Sequence, residues 1–400
     1  HTNLPVPLPE ALVRRLFAPD GTLRGSVTKF EQYRSCPFAY YSRYGLGLEE
    51  RPRYQFAAPD LGMLVHGALR IIGEKLLREQ KQWHDIPDSE VPAICRQATD
   101  ELAPQVQHDI LMSNAYFAQI KERLIQTLTR TVRRLSAFSA VSDFHMEGLE
   151  KSFGRPGSPW EALRFTLKNG LHVVVTGQID RIDTLRQGDH KYVVIIDYKS
   201  GRKQLDISQI FTGLELQLLT YMSVALLNIG GDAIPAAVLY CYVRNDRVSL
   251  EYRVSDEDKK KLYESKGKLT GFYLDDGQVM QQLDTSMQGF SDFLNLRLKK
   301  DGTLSDASHT LYNEAGWSHL LDWAARQIED IAGHIGDGDI SIYPVLLGQK
   351  APCSYCPYRP VCRFDVAMAG NTYDAVGRED KDDMIRKMFD EGDDEHGLDK

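Results

Sequence analysis

Residues 60–79, DLGMLVHGALRIIGEKLLRE, repeat apolar side chains at helical spacing, with Leu61, Leu64, Val65, Leu69, Ile72 and Leu76 along one side. They predict an amphipathic helix. Residues 26–48 predict another, capped by Ser26 or Thr28 and followed by an apolar and aromatic stripe. Further helices are expected over 89–140, including one at 117–137. The pattern then changes. MEGLEKSFG, ALRFTLKNG, LHVVVTGQIDRIDTL and KYVVIIDYKSG are β-rich runs bounded by Gly, Asn and Asp, which predict hairpins and meanders. Residues 206–230 return to a helix with an Asp/Ser start and a Gly stop, and 233–243 form a buried strand. A mixed segment with a long helical stretch follows over 255–335.

These runs predict an extended, Pro-rich lead-in at 1–25 and one elaborated domain at 26–365, with helical inserts at about 80–140 and 255–335. A tail at 366–400 is expected to be mobile or lightly docked. Charge sharpens that division. The chain carries a net −8, but residues 371–400 hold 11 Asp/Glu against 5 Lys/Arg, a net −6, so the remainder is close to neutral at −2. A local basic groove is therefore compatible with the composition. No 18-residue apolar run, signal peptide, internal repeat or GxxxxGK[ST] phosphate loop is present. A membrane span and an ATP site of that type are thus not expected. The start HTNLPVPLPE lacks a methionine and is expected to be an internal point of a longer protein. Six cysteines, four with ligand-like placement, point to a reducing, cytoplasmic compartment and a metal rather than disulfides.

The β-rich centre holds the strongest chemical signal. A strand is expected to end on Asp180 in TGQIDRID. In VVIIDYKSG, Asp197 and Lys199 share one strand face while Tyr198 takes the other. The run Val193 to Ile196 fits a strand buried on both faces, where an unpaired Asp197 would be costly. Two carboxylates on neighbouring strands hold a hard divalent cation, and magnesium suits such a site; the lysine stands near an attacking water. An Asp-x-Lys pair in isolation is usually a solvated ion pair, and only the apolar context separates the two readings.

These residues, with LQLLTY, resemble the PD-(D/E)xK nucleases of the RecB type. The resemblance implies an α/β, restriction-endonuclease-like mixed sheet flanked by helices, with helical insertions. It places the catalytic set at Asp180, Asp197, Lys199, Gln217 and Tyr221, the last two one helical turn apart. His66 in LVHGAL matches the family's helical histidine. Glu150 matches an upstream acidic residue, with Glu147 as a weaker candidate. Ile179 stands where the family name has proline. The implied metal ligands for Mg²⁺ (or Mn²⁺) are His66, Asp180, Asp197 and the main-chain carbonyl of Tyr198.

APCSYCPYRPVC places Cys353, Cys356 and Cys362 at metal-ligand spacing, one short of four. Cys36 in YRSCPFAYY is the best fourth candidate, since its CPF mirrors the CPY at Cys356. Cys95 and Cys241 read as small buried hydrophobes. Spacing alone divides evenly between structural zinc and an iron-sulfur cluster. One early cysteine and a late C-x₂-C-x₅-C around such a nuclease resemble the iron-sulfur domains of some CRISPR-associated exonucleases and, in more detail, the AddB carboxy-terminal domains of bacterial AddAB helicase-nucleases. That resemblance implies a [4Fe-4S] cluster at Cys36, Cys353, Cys356 and Cys362, an AddA-type helicase-nuclease partner, and cleavage of a single-stranded DNA end, the 5′-ended strand, in double-strand break processing and repair. A degenerate, purely DNA-binding module is the non-enzyme alternative.

Arg123, Arg130 and Arg134 fall near one face of the 117–137 helix and could track phosphates, although a solvated face is the ordinary reading. Tyr33, Phe38, Tyr40, Tyr41 and Tyr44 could stack on bases or pack around the cysteines.

Overall fold

The computed structural model describes residues 6–51, 54–106, 109–201, 205–243, 255, 267–305, 309–377 and 379–393. Its centre is a mixed sheet of eight strands: β1 (Thr22–Ser26), β2 (His145–Phe153), β3 (Arg164–Thr166), β4 (His172–Gln187), β5 (His190–Lys199), β6 (Ala233–Tyr242), β7 (Thr270–Leu274) and β8 (Leu311–Tyr312). Around it the described residues form helices α1 (Glu10–Phe17), α2 (Val27–Ser35), α3 (Pro37–Tyr40), α4 (Ala58–Arg78), α5 (Val91–Leu102), α6 (Ala115–Ala140), α7 (Ile207–Phe211), α8 (Gln217–Ile229), α9 (Gly277–Leu283), α10 (Glu314–Gly336), α11 (Arg359–Cys362) and α12 (Lys381–Asp393).

The sheet runs β1-β4-β5-β6-β7-β8, with β2 and β3 also paired to β4. At 16 residues, β4 is long enough to take β1 and β3 on its first half and β2 and β5 on its second. It does not stop at Asp180 as expected but continues to Gln187. There a two-residue Gly188-Asp189 loop, with Gly188 at φ +61°, turns the chain into β5. β6 lies parallel to β5, so the chain must cross over, and α7 and α8 make that crossing. Strand neighbours on both edges and α8 against β5 and β6 leave Val193, Val194, Ile195 and Ile196 at 0% exposure. Each such side chain contributes about 1.5–3 kcal/mol relative to an exposed one.

Four expectations are corrected. The lead-in is not extended: α1 buries Val13, and β1 joins the main sheet through β4. The helix expected over 206–230 is two, because Gly213 at φ +74° turns the chain between α7 and α8. The segment 255–335 is not a helical insert throughout, since it supplies β7 and β8 to the sheet; residues 256–266 lie outside the described ones. The acidic tail is docked as far as α12, which buries Met384 and Met388 completely and ties Lys381 to Asp206 at 2.9 Å.

Candidate active site

Asp180 lies on β4 one residue before Arg181, which pairs with Ile196 of β5, so the register sets Asp180 beside Asp197. Asp180 accepts a hydrogen bond from the Tyr198 N–H at 2.9 Å, and its other neighbour is His66 Nδ1 at 3.2 Å, delivered by α4. The Tyr198 main chain thus reaches Asp180 through its N–H. Glu150 stands opposite on β2, between the Leu149–Arg181 and Lys151–Ile179 pairs. Its backbone is left-handed, φ +47°, just after a bulge at Gly148. A non-glycine residue held there costs of order 1–3 kcal/mol, and such strain concentrates at functional sites. Ligand atoms of His66, Glu150 and Asp180 all lie within 4.8 Å of one another, the set of this kind found among the described residues. One imidazole and two carboxylates are a hard, oxygen-rich donor set of the type that suits magnesium or manganese. Glu150 therefore falls among the candidate metal ligands.

Asp197 and Lys199 leave the same face of β5, as strand alternation requires. Lys199 Nζ meets Asp197 at 2.7 Å, and the ammonium lies 5.4 Å from the ring centre of Tyr240. Gln217, the first residue of α8, joins the pair: its Oε1 accepts from Lys199 Nζ at 3.1 Å, and its Nε2 donates to Asp197 at 3.0 Å and to the Tyr221 hydroxyl at 3.0 Å. The four-residue spacing of Gln217 and Tyr221 puts both on this face. Gly177 makes room for Tyr221, because a Cβ there would stand 2.5 Å from the Phe153 ring and 3.1 Å from that of Tyr221. From the opposite face Arg181 forks onto Asp183 with two 2.7 Å bonds, fully buried against Trp83, and pins β4.

The charges are strongly coupled. Burial, then the neighbouring Asp180, push Glu150 up to about 7. Burial and Asp180 also raise Asp197, against the pull of Lys199. Burial opposes the His66 imidazolium, but the hydrogen bond and charge of Asp180, with Asp197 and Glu150, raise its pKa overall. Glu150 and His66 both bind protons more tightly folded than unfolded. Their contribution to stability is present at low pH and is lost as pH rises through the folded values, in the window from about 4.5 to about 7 for Glu150. In the presence of EDTA, Glu150→Gln is expected to melt increasingly above the parent as pH rises from 5 to 8, and added Mn²⁺ should reverse the order. Thermal melts at several pH values check this; a pH-independent difference would contradict it.

The four cysteines come together from both ends of the chain. Cys36, the residue after α2, lines one cavity of about 150 Å³ with Cys353, Cys356 and Cys362, walled by Phe38, Pro352 and Phe364. Burial raises the Cys36 thiol to about 11 and also raises Cys353. The thiols ring the cavity without any three forming a 4.8 Å group of the kind His66, Glu150 and Asp180 make. Cys95 and Cys241 are buried elsewhere.

Other candidates are not brought to the site. Glu147 points away, bonded to Lys191 and Thr184. Arg134 is not a free phosphate contact: it donates to the Asp292 carbonyl at 3.1 Å and lies over Phe293. Arg123 and Arg130 remain on the exposed side of α6. Tyr33 and Tyr40 are buried and pack edge to face, with Tyr44 and Phe17 against Tyr40. Sequence reasoning missed Gln178, which donates to Glu150, and Tyr240, whose hydroxyl donates to the buried Glu215. Gln178 lies two residues from Asp180 on the same face, a period-2 signal that was available.

Residues 24–363 match the model of the PD-(D/E)XK nuclease superfamily. The chain is 33% identical over 398 residues to an ATP-dependent helicase/deoxyribonuclease subunit of Listeria monocytogenes, covering 98% of this chain and 34% of that protein. It is 36% identical over 381 residues to the protein of the same name from Moorella thermoacetica (94% and 33%) and 34% over 357 residues to that of Bacillus subtilis (88% and 30%). It thus spans about a third of the length of the curated relatives it matches. With the expected mixed sheet observed and the match running through nearly all of it, the chain belongs to the PD-(D/E)XK nuclease superfamily.

Proposed function

We propose that this chain is the nuclease domain of an AddAB-type helicase-nuclease, cutting single-stranded DNA, the 5′-ended strand, during double-strand break processing alongside an AddA-type partner. The observation that carries the reading is the set of His66, Glu150 and Asp180 within 4.8 Å of one another, next to the buried Asp197–Lys199 pair. His66, Glu150, Asp180 and Asp197, with the Tyr198 carbonyl, would hold Mg²⁺ or Mn²⁺. When bound, the ion supplies Lewis-acid polarisation of a phosphate oxygen and a more acidic water. Lys199 has three N–H groups, two engaged by Asp197 and Gln217; the third orients the attacking water and offsets charge building on the phosphate. Asp197 holds the ammonium in place, and Gln217 fixes both partners. Burial, then Asp197, raise the Tyr221 phenol, which stays neutral and serves as a hydrogen-bonding brace for Gln217.

The cysteine cavity supports a [4Fe-4S] cluster over zinc. Four thiolates on one zinc ion, with bonds of about 2.3 Å, would converge to about 3.8 Å from one another. The observed thiols instead surround a cavity of about 150 Å³, without a 4.8 Å trio. The cluster would hold the two ends of the domain together and would take no part in hydrolysis.

The test is cleavage of 5′- and 3′-labelled single-stranded DNA by anaerobically purified protein, alongside its visible spectrum and iron and sulfide analysis. Magnesium-dependent cleavage abolished by EDTA, and a brown protein, are expected. An inert protein with Mg²⁺ and Mn²⁺ would overturn the nuclease reading; a colourless protein with one zinc would overturn the cluster.

A further inference from the structure

We infer that Glu31 is a positioning residue for this site, acting by capping α8 from a distant part of the chain and so holding Gln217 against Lys199 and Asp197. The inference rests on the nuclease reading above. The N-cap position of α8 is Leu216, whose side chain accepts no hydrogen bond and is fully buried in the core. The first N–H groups of a helix nonetheless need acceptors. Glu31 Oε1 provides them: it accepts from the Leu216 N–H at 2.7 Å and from the Gln217 N–H at 3.1 Å. Its negative charge also suits a helix N-terminus.

One turn along the same face of α2, Arg34 donates to the Thr212 carbonyl at 2.8 Å and pairs with Asp374 at 2.6 Å. Helix α2 therefore grips the corner before α8 at two points, and Gln217 is the first residue past that grip. Its side-chain bonds run to Lys199, Asp197 and Tyr221, so the placement of the α8 start sets the geometry of the pair.

The test compares Glu31→Ala, Glu31→Gln and Glu31→Asp in the cluster-containing protein. Glu31→Ala is expected to lower kcat on single-stranded DNA about 10- to 100-fold, the scale of a misplacement near 1 Å, with KM and Mn²⁺ affinity within about twofold of the parent. Amide hydrogen exchange over residues 213–222 should quicken about fivefold or more, as expected for a lost cap. Glu31→Gln keeps an acceptor oxygen and should stay within about threefold of the parent. Glu31→Asp keeps the charge but withdraws the oxygen by one methylene, and should follow Glu31→Ala. Parental kcat and parental exchange in Glu31→Ala, or Glu31→Gln falling as far as Glu31→Ala, would overturn the proposal. If the parent cuts no DNA, the nuclease reading fails, while the exchange measurement still decides the cap.

Discussion

Lys199→Ala and Asp197→Asn are each expected to lower magnesium-dependent cleavage of single-stranded DNA by about 10³-fold or more, while DNA binding stays near the parental level. The two substitutions act on one unit from opposite ends. Lys199→Ala removes the ammonium that meets Asp197 at 2.7 Å and leaves a buried carboxylate to find a proton. Asp197→Asn preserves shape and leaves an oxygen to accept from Gln217, but it takes away the charge that anchors Lys199. Because a buried pair broken on one side costs roughly 3–5 kcal/mol, less where one partner reaches solvent as Lys199 does, melting temperature must be recorded with activity. The double variant Lys199→Met with Asp197→Leu removes both charges and separates the two effects: it should be inert yet melt closer to the parent than Lys199→Ala. Single-turnover cleavage beside a fluorescence binding titration checks the set. Purified Lys199→Ala that still cuts with magnesium would remove Lys199 and its pair from the chemistry.

The parts of the site that were legible in the sequence are those governed by short-range periodicity. Alternation along a strand placed Asp197 and Lys199 together, and a four-residue helical step placed Gln217 beside Tyr221; the structure brings all four into one hydrogen-bonded group. Helix α4 and the paired strands β4 and β5 followed from the same periods. What was not legible depends on distant or non-repeating geometry. The cap on α8 comes from Glu31, 185 residues before Leu216, and no local pattern marks it. Glu150 faces Asp180 through a left-handed backbone after a bulge, which breaks the alternation that sequence reading relies on. In the lead-in, prolines at 5, 7 and 9 masked the eight-residue helix that begins at Glu10. The tail looked soluble because its charges dominate the composition. Yet Met384 and Met388, four residues apart, are enough to seat α12 on the body.

Cys356→Ala is expected to lose the visible absorption and most of the bound iron, to melt on the order of 5–10 °C lower, and to bind DNA more weakly. The size follows from the chain the clasp closes. A tie between residues 36 and 353 spans a loop of more than 300 residues, for which the chain-entropy argument gives roughly 5 kcal/mol. The core is held independently of it. β1 pairs with β4, α2 is bonded to the α8 corner, and Arg34 binds Asp374, so the sheet and the Asp180–Asp197 pair have their own anchors. The loss should therefore fall on residues 37–50 and 352–364, where Tyr358 now reaches back to the Leu48 carbonyl at 3.0 Å. The thiols add a pH dependence. Burial holds Cys36 near 11, so an unloaded cavity is a set of protonated thiols, and loading releases protons. Loss of iron should accordingly be faster at acidic pH than at pH 8, followed by the decay of absorbance under anaerobic conditions. A Cys356→Ala protein with parental melting temperature and DNA affinity would mean that the cysteines are not a clasp, whatever metal they bind.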